Sequence, residues 1–182
     1  MAELMAELGV GILKFIIAAV LAIFSVYFGI RAYDRMTEGI EEMRELKKGN
    51  VAVGVVMAAV ILIIAFVTRA TVMEMNTNMK VGMSASLLGI IVLVGVVKLA
   101  FALLITLFVI YIALNVLAMV TRDIDEIEEL NRNNVAVGLM IAGVLLAVVL
   151  VTMTSLESIA ASPAVSALEV AKNMGITAAA LI

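Results

Sequence analysis

The sequence predicts an all-α membrane protein: four transmembrane helices as two parallel tandem helical-hairpin repeats, with an outer helical layer and cytoplasmic helix extensions. Three observations predict it. Of 182 residues, 65% are hydrophobic and 15% charged, with a mean hydropathy of +1.23. A soluble domain is nearer half apolar and a quarter charged, and a chain this short keeps too much surface to hide the excess in a core. The second observation is where the charges sit. Ten of the 27 lie in Arg31 to Lys48 and seven in Arg122 to Arg132, each group flanked by long apolar runs. The third is that the pattern occurs twice.

The repeat has an offset of 84 residues. Asn50-Val51-Ala52-Val53-Gly54 matches Asn134-Val135-Ala136-Val137-Gly138, and Thr37, Ile40, Glu42, Glu45 and Leu46 match Thr121, Ile124, Glu126, Glu129 and Leu130. Further upstream, Gly11, Lys14, Ala18, Phe24 and Tyr27 match Gly95, Lys98, Ala102, Phe108 and Tyr111. Two crossings per unit leave both copies pointing the same way, a parallel repeat about an axis along the membrane normal. The organisation read from this is residues 1–80 and 81–154 as two-span repeats, with turns near 49–50 and 133–134, and 155–182 as an outer C-terminal helical tail.

The spans follow in order. Leu8 to Ile30 and Val92 to Val120 are the first and third; Val51 to Thr68 and Val135 to Thr152 are shorter, near the lower limit of about 17 residues for a crossing helix. No cleavable signal peptide is expected from the acidic start, Glu3 and Glu7. After each odd-numbered span an amphipathic helix is expected to continue into the cytoplasm, with Met36, Ile40, Met43 and Lys47 along one stripe. It ends at Gly49 in one copy and Asn133 in the other, residue types that tolerate the left-handed conformation of a helix end. Asn50 and Asn134 then cap the next span.

Val81 to Ile91 is apolar, but its first-copy counterparts at positions 87 and 91 are Glu3 and Glu7. Charge there is costly in mid-bilayer, so this stretch is expected outside the membrane, in a layer with the N-terminus and the tail. The tail opens on Ser162-Pro163, a favourable helix start. An outer helix is preferred for it over a fifth crossing from Ala164 to Ile182, because of Glu169, Lys172 and Asn173. Seven Lys and Arg in the two clusters against three on the opposite side put the clusters in the cytoplasm and both termini outside.

The duplicated two-span unit, the acidic helix and the turns Gly49-Asn50-Val51-Ala52-Val53-Gly54 and Asn133-Asn134-Val135-Ala136-Val137-Gly138 resemble domain of unknown function 350, the YjfL-like family. The resemblance covers about residues 10 to 152. It implies a prokaryotic cytoplasmic-membrane protein and carries no established reaction and no catalytic residues. The second turn has Asn where the pattern has Gly.

Composition excludes much chemistry. With no Cys, His or Trp, there is no thiolate nucleophile, histidine base or ordinary zinc site. A net charge of -3 argues against nucleic acid as a partner. No enzyme activity, cofactor or metal is expected. Lys14 and Lys98 are candidate pore or headgroup contacts; interfacial snorkelling is the preferred alternative. Gly49, Asn50, Asn133 and Asn134 are read as turn and caps. Glu38, Glu41, Glu42, Glu45, Asp123, Asp125, Glu126, Glu128 and Glu129 are read as an acidic, partner-facing surface, in preference to a cation site. The Gly54-x3-Ala58, Gly138-x3-Ala142 and Gly143-x3-Ala147 motifs suit close helix packing.

Two functions are compatible with this chain. The first is a homo-oligomeric scaffold whose acidic hairpins recruit a cytoplasmic protein partner. The alternative is a homo-oligomeric channel or transporter for a small solute or ion. The spans offer few polar groups for a pore: Ser25, Thr106 and Asn115 besides the lysines.

Overall fold

The computed structural model describes residues 1–37, 41–121, 125–160 and 170. Six helices follow in order: α1 (Ala2–Met36), α2 (Glu42–Lys47), α3 (Val51–Asn78), α4 (Ala85–Val120), α5 (Glu126–Asn131) and α6 (Val135–Ala160). No strand occurs among the described residues. Four of the helices are long and apolar enough to cross a membrane. The 35 residues of α1 and 36 of α4 make rods of about 50 Å, well beyond the ~30 Å of hydrocarbon in a bilayer. The tail is represented only by Val170, so the choice between an outer helix and a fifth crossing lies outside the described residues.

The two even partners of the hairpins, α3 and α6, form the centre. Val53, Val56, Val60, Ile63 and Ile64 pack with Val137, Ile141, Leu145 and Val149, and α1 and α4 add Tyr33, Ile110 and Ala113. Close approach at one end comes from Gly138: a Cβ there would stand 2.7 Å from the carbonyl oxygen of Ala52. Ala142, one turn on, is buried. The other two small-residue motifs have no such use within the chain, since Ala58 and Ala147 are exposed and a Cβ on Gly143 would meet nothing within 4 Å. Gly29 of α1 is also packed tightly, against Ile64 of α3.

A second core cluster lies at the other end of the bundle. Leu87, Ile91 and Leu99 of α4 pack with Met75 and Met79 and with Leu21 of α1. The apolar stretch around 87–91 therefore begins a continuous α4, and Leu87 and Ile91 pack on the C-terminal half of α3. Ser84 caps this helix, accepting from Leu87 N at 3.4 Å.

The extensions beyond the first and third spans differ from the continuous helix expected. α1 stops at Met36 and α4 at Val120, and the short α2 and α5 are separate. Thr37 and Thr121 sit at the two breaks. Each hydroxyl lies within bonding distance of the carbonyl four residues back, Tyr33 O at 3.1 Å and Leu117 O at 2.7 Å, and of a glutamate on the short helix that follows. A Thr side chain that bonds locally in this way offers the chain an alternative to the helical ladder. Ile40 and Ile124, expected on the helical stripe, lie outside the described residues.

Candidate functional site: the two paired elbows

Each elbow is built from the same residues. In the first, Thr37 meets the Glu42 carboxylate. Glu45 accepts from Lys48 Nζ at 2.5 Å and from Asn50 Nδ2 at 3.2 Å. In the second, Thr121 meets Glu126, and Glu129 accepts from Asn134 Nδ2 at 2.5 Å, with Arg132 at 3.6 Å. The turns between the helices need positive φ, which Gly49 (φ +79°) and Asn133 (φ +62°) supply; glycine and asparagine enter this region at least cost. Asn50 then caps α3, its Oδ1 accepting from Val53 N at 3.1 Å. Asn134 accepts from Ala136 N at 3.2 Å and Val137 N at 3.5 Å.

The elbows are also joined to each other. Asn50 Nδ2 donates to Leu130 O at 2.7 Å, and Ala52 N donates to Asn133 Oδ1 at 3.0 Å. One turn residue from each copy thus satisfies a main-chain group of the other. Without its bond Ala52 N, in the first turn of α3, would be a donor left unpaired, at a cost of about 1–3 kcal/mol; Leu130 O also accepts from Asn133 N at 3.0 Å.

This geometry corrects the reading of the acidic residues as one exposed surface. Glu42 is 3% exposed and Glu45 8%; they face inward and hold the elbow. Glu126 and Glu129 are half-buried in the matching places. Glu41, Asp125 and Glu128 are exposed. Of these, Glu41 pairs with Arg44 at 3.4 Å, Glu128 with Arg132 at 2.6 Å, and Asp125 caps α5 through Glu128 N at 3.0 Å. Glu38 and Asp123 lie outside the described residues. The helical stripe in the sequence distinguishes faces, but it carries no sign that a threonine at the helix break will draw one glutamate in.

The copies differ in one respect. Glu42 lies beside Asp34 of α1, and burial, with the neighbouring Asp34 carboxyl, pushes its pKa up to about 7. Its Oε2 is buried and has no hydrogen-bond partner. In the second copy, positions 33 and 34 become Leu117 and Ala118, so Glu126 has no such neighbour there. The first elbow therefore holds a buried carboxyl, Glu42, with its pKa near neutrality, beside a cleft of about 390 Å³ lined by Asp34, Glu41, Met43, Arg44 and Lys47. Glu45 behaves oppositely: hydrogen bonds from Lys48 and Asn50 hold its pKa below the usual carboxylate range. No group of three or more acidic side chains able to hold a metal ion occurs among the described residues.

The lysines part company. Lys98 is half-buried on α4, its side chain 9% exposed, and paired with Glu74 of α3 at 2.5 Å, in a site lined also by Thr71, Met75, Asn78, Ile91, Val94 and Gly95. Lys14, its counterpart, is half-buried on α1. Glu74 was not singled out from sequence. The available signal was a lone acid and a lone base, each in an apolar stretch, 24 residues apart. The span polar groups Ser25, Thr106 and Asn115 bond to the carbonyls of Leu21, Ala102 and Tyr111 in their own helices.

No curated protein matches the chain, and no solved structure does. A family model does match, twice, over residues 6–103 and 93–182. The two matches overlap within α4, and the second runs through the tail, past residue 152 where the resemblance read from the sequence ends. With nearly the whole chain covered as two repeats of a four-helix, multi-pass membrane protein, it belongs to the family described as Domain of Unknown Function (DUF350).

Proposed function

We propose that this protein is a homo-oligomeric structural component of a prokaryotic cytoplasmic membrane, without enzymatic activity. Its termini lie outside and its elbows in the cytoplasm, where they bind a protein partner. The observation that carries the reading is the surface of α1. Leu4, Leu8, Ile12, Phe15, Ile23, Phe24 and Phe28 are all more than half exposed, a continuous apolar face running the length of the helix. Such a face is made to be covered, by lipid along the membrane and by protein beyond it. The partner-binding face is narrower than the full acidic set: among its described residues, Glu41, Asp125 and Glu128 are exposed.

The interior weighs against transport through a single protomer. The central cluster is aliphatic from Val53 to Val149, and Ser25, Thr68, Thr71 and Thr106 turn their hydroxyls back onto their own helices. A conducting path needs groups that replace water along its length. Two measurements test the proposal. Native mass spectrometry from mild detergent is expected to give a multiple of the 19.3 kDa chain; a monomer there and in lipid nanodiscs overturns it. Proteoliposomes are expected to pass neither ions nor small solutes, and sustained flux overturns it in favour of a channel.

A further inference from the structure

The joint between the repeats is made by two surfaces that each occur a second time in the sequence, with no matching joint between them among the described residues. At the joint, the C-terminal half of α3 packs on the N-terminal half of α4. Its centre is Gly95, where a Cβ would come within 2.8 Å of Met75 Sδ and 3.7 Å of Met75 Cβ. Glu74 and Lys98 pair beside it at 2.5 Å, and Thr71 is buried.

Shifting by the repeat offset gives the duplicates. The α4 surface recurs on α1, with Gly11 for Gly95 and Lys14 for Lys98. There it is open: a Cβ on Gly11 would meet nothing within 4 Å, and Leu4, Glu7, Leu8, Gly11, Ile12 and Phe15 line a groove of about 370 Å³. The α3 surface recurs on α6, with Ser155 for Thr71 and Ser158 for Glu74. Of the described residues there, Ser155 and Ser158 are exposed. Within the chain α3 packs on α1, α4 and α6, whereas α1 and α6 form no comparable joint.

We infer that the C-terminal half of α6 of one copy docks on the N-terminal half of α1 of a second copy, repeating between chains the joint that α3 and α4 make within one. The inference rests on the oligomeric reading and names its interface. Because the repeat is parallel, the two surfaces stand at the same height in the membrane, so copies sharing one orientation can meet sideways. The contact is head-to-tail: each copy offers one surface of each kind, which builds a ring if the rotation closes and a row if it does not. Lys14 meets the Ser158 hydroxyl where Lys98 meets a carboxylate, and Glu3 and Glu7 stand where α4 has Leu87 and Ile91. The joint between chains is accordingly more polar at its rim than the internal one. Residues 169–182 occupy the same register as 85–98 and are the competing occupant of α6, but they carry Ala179 and Ile182 where α4 and α1 carry Gly and Lys.

The chain has no cysteine, so introduced thiols report without background. Met75→Cys with Gly95→Cys, whose Cβ atoms suit a disulfide, is expected to crosslink within one chain and serves as the control. Gly11→Cys with Ile159→Cys, the same register positions, is expected to give a ladder of dimers, trimers and larger species on oxidation in membranes, and neither single variant is expected to crosslink. Adding Gly11→Leu to the control pair should abolish oligomers by native mass and leave the internal disulfide intact. An oligomer without the ladder, with an internal Gly11→Cys/Ile159→Cys crosslink, or with dimers from Gly11→Cys alone overturns the docking while the oligomeric reading stands. A monomer overturns both.

Discussion

The side-chain amide of Asn50 donates to the main-chain carbonyl of Leu130 across 80 residues of sequence, at 2.7 Å. The same side chain caps α3 and bonds Glu45. Asn134, its counterpart, caps α6 and bonds Glu129. The two asparagines share one local role, and Asn50 adds the bond between copies. Replacing Asn134 by Ala is expected to cost about 1 kcal/mol, the worth of a cap. Asn50→Ala also removes one of two donors to the Leu130 carbonyl, which keeps Asn133 N at 3.0 Å, and is expected to cost roughly 1.5–3 kcal/mol. Thermal unfolding of the two variants in one detergent checks the order; equal losses would refute it.

The raised pKa of Glu42 gives the first elbow a pH dependence. Glu42 has its pKa raised to about 7 in the folded state, so the folded chain holds a proton that the unfolded chain releases in the ordinary carboxylate range. Its contribution is fully present at the acid end and is lost as pH rises through about 7. Glu45, held below the carboxylate range, has the opposite sign and loses its contribution only as the pH falls below that range. The melting temperature is therefore expected to be higher at pH 5 than at pH 8. Glu42→Gln, which mimics the protonated form, should flatten that difference, and Glu126→Gln should leave it. Circular dichroism melts at the two pH values decide.

The spans, the duplication and the turns were legible because they rest on local chemistry. Charge cannot sit in mid-bilayer, and Gly49 and Asn133 are residue types suited to positive φ. The inward turn of Glu42 and the Glu74–Lys98 pair were not legible, because both depend on which helix lies opposite. Nor was the length of α3, taken to end at Thr68 on hydropathy. It runs to Asn78, because Arg69 and Glu74 interrupt the apolar run without breaking the helix. The packing of Leu87 and Ile91 on Met75 and Met79 was not legible either, since a sequence pattern does not name the neighbour.

Helix packing separates two glycines that the repeat makes equivalent. A Cβ on Gly138 would press on the main chain of Ala52, at 2.7 Å from its oxygen and 3.0 Å from its Cα. Backbone cannot swing aside as a side chain can. On Gly54 the nearest atom is Leu46 Cδ2 at 3.6 Å, an ordinary contact. Gly138→Ala is expected to destabilise by about 1–3 kcal/mol through overpacking. Gly54→Ala is expected to be neutral or to stabilise by up to about 1 kcal/mol, the helix-propensity difference. Denaturant titration of both, with a loss at Gly54 as large as at Gly138, would show that the α3–α6 crossing is looser than its geometry.

Lys98 and Lys14 give the sharpest contrast between equivalent positions. Lys98 is half-buried and its ammonium meets Glu74; removing it leaves a carboxylate beside Thr71, Met75 and Ile91 without that cation. Breaking one partner of a buried pair costs more than the pair contributes, about 3–5 kcal/mol where both ions are fully desolvated. Glu74 keeps about a third of its side chain in contact with solvent, which puts the expectation for Lys98→Met at the lower end, about 2 kcal/mol. Glu74→Gln in the same chain should recover part of that loss, since it removes the stranded charge. Lys14→Met meets no such partner in the isolated chain and is expected to leave the stability of detergent-solubilised monomer within about 0.5 kcal/mol of wild type. Unfolding of Lys98→Met, Lys98→Met with Glu74→Gln, and Lys14→Met under identical conditions separates the cases. A loss at Lys98 that the second substitution does not relieve would mean that the lysine stem, packed along Gly95 and Val94, matters more than its charge.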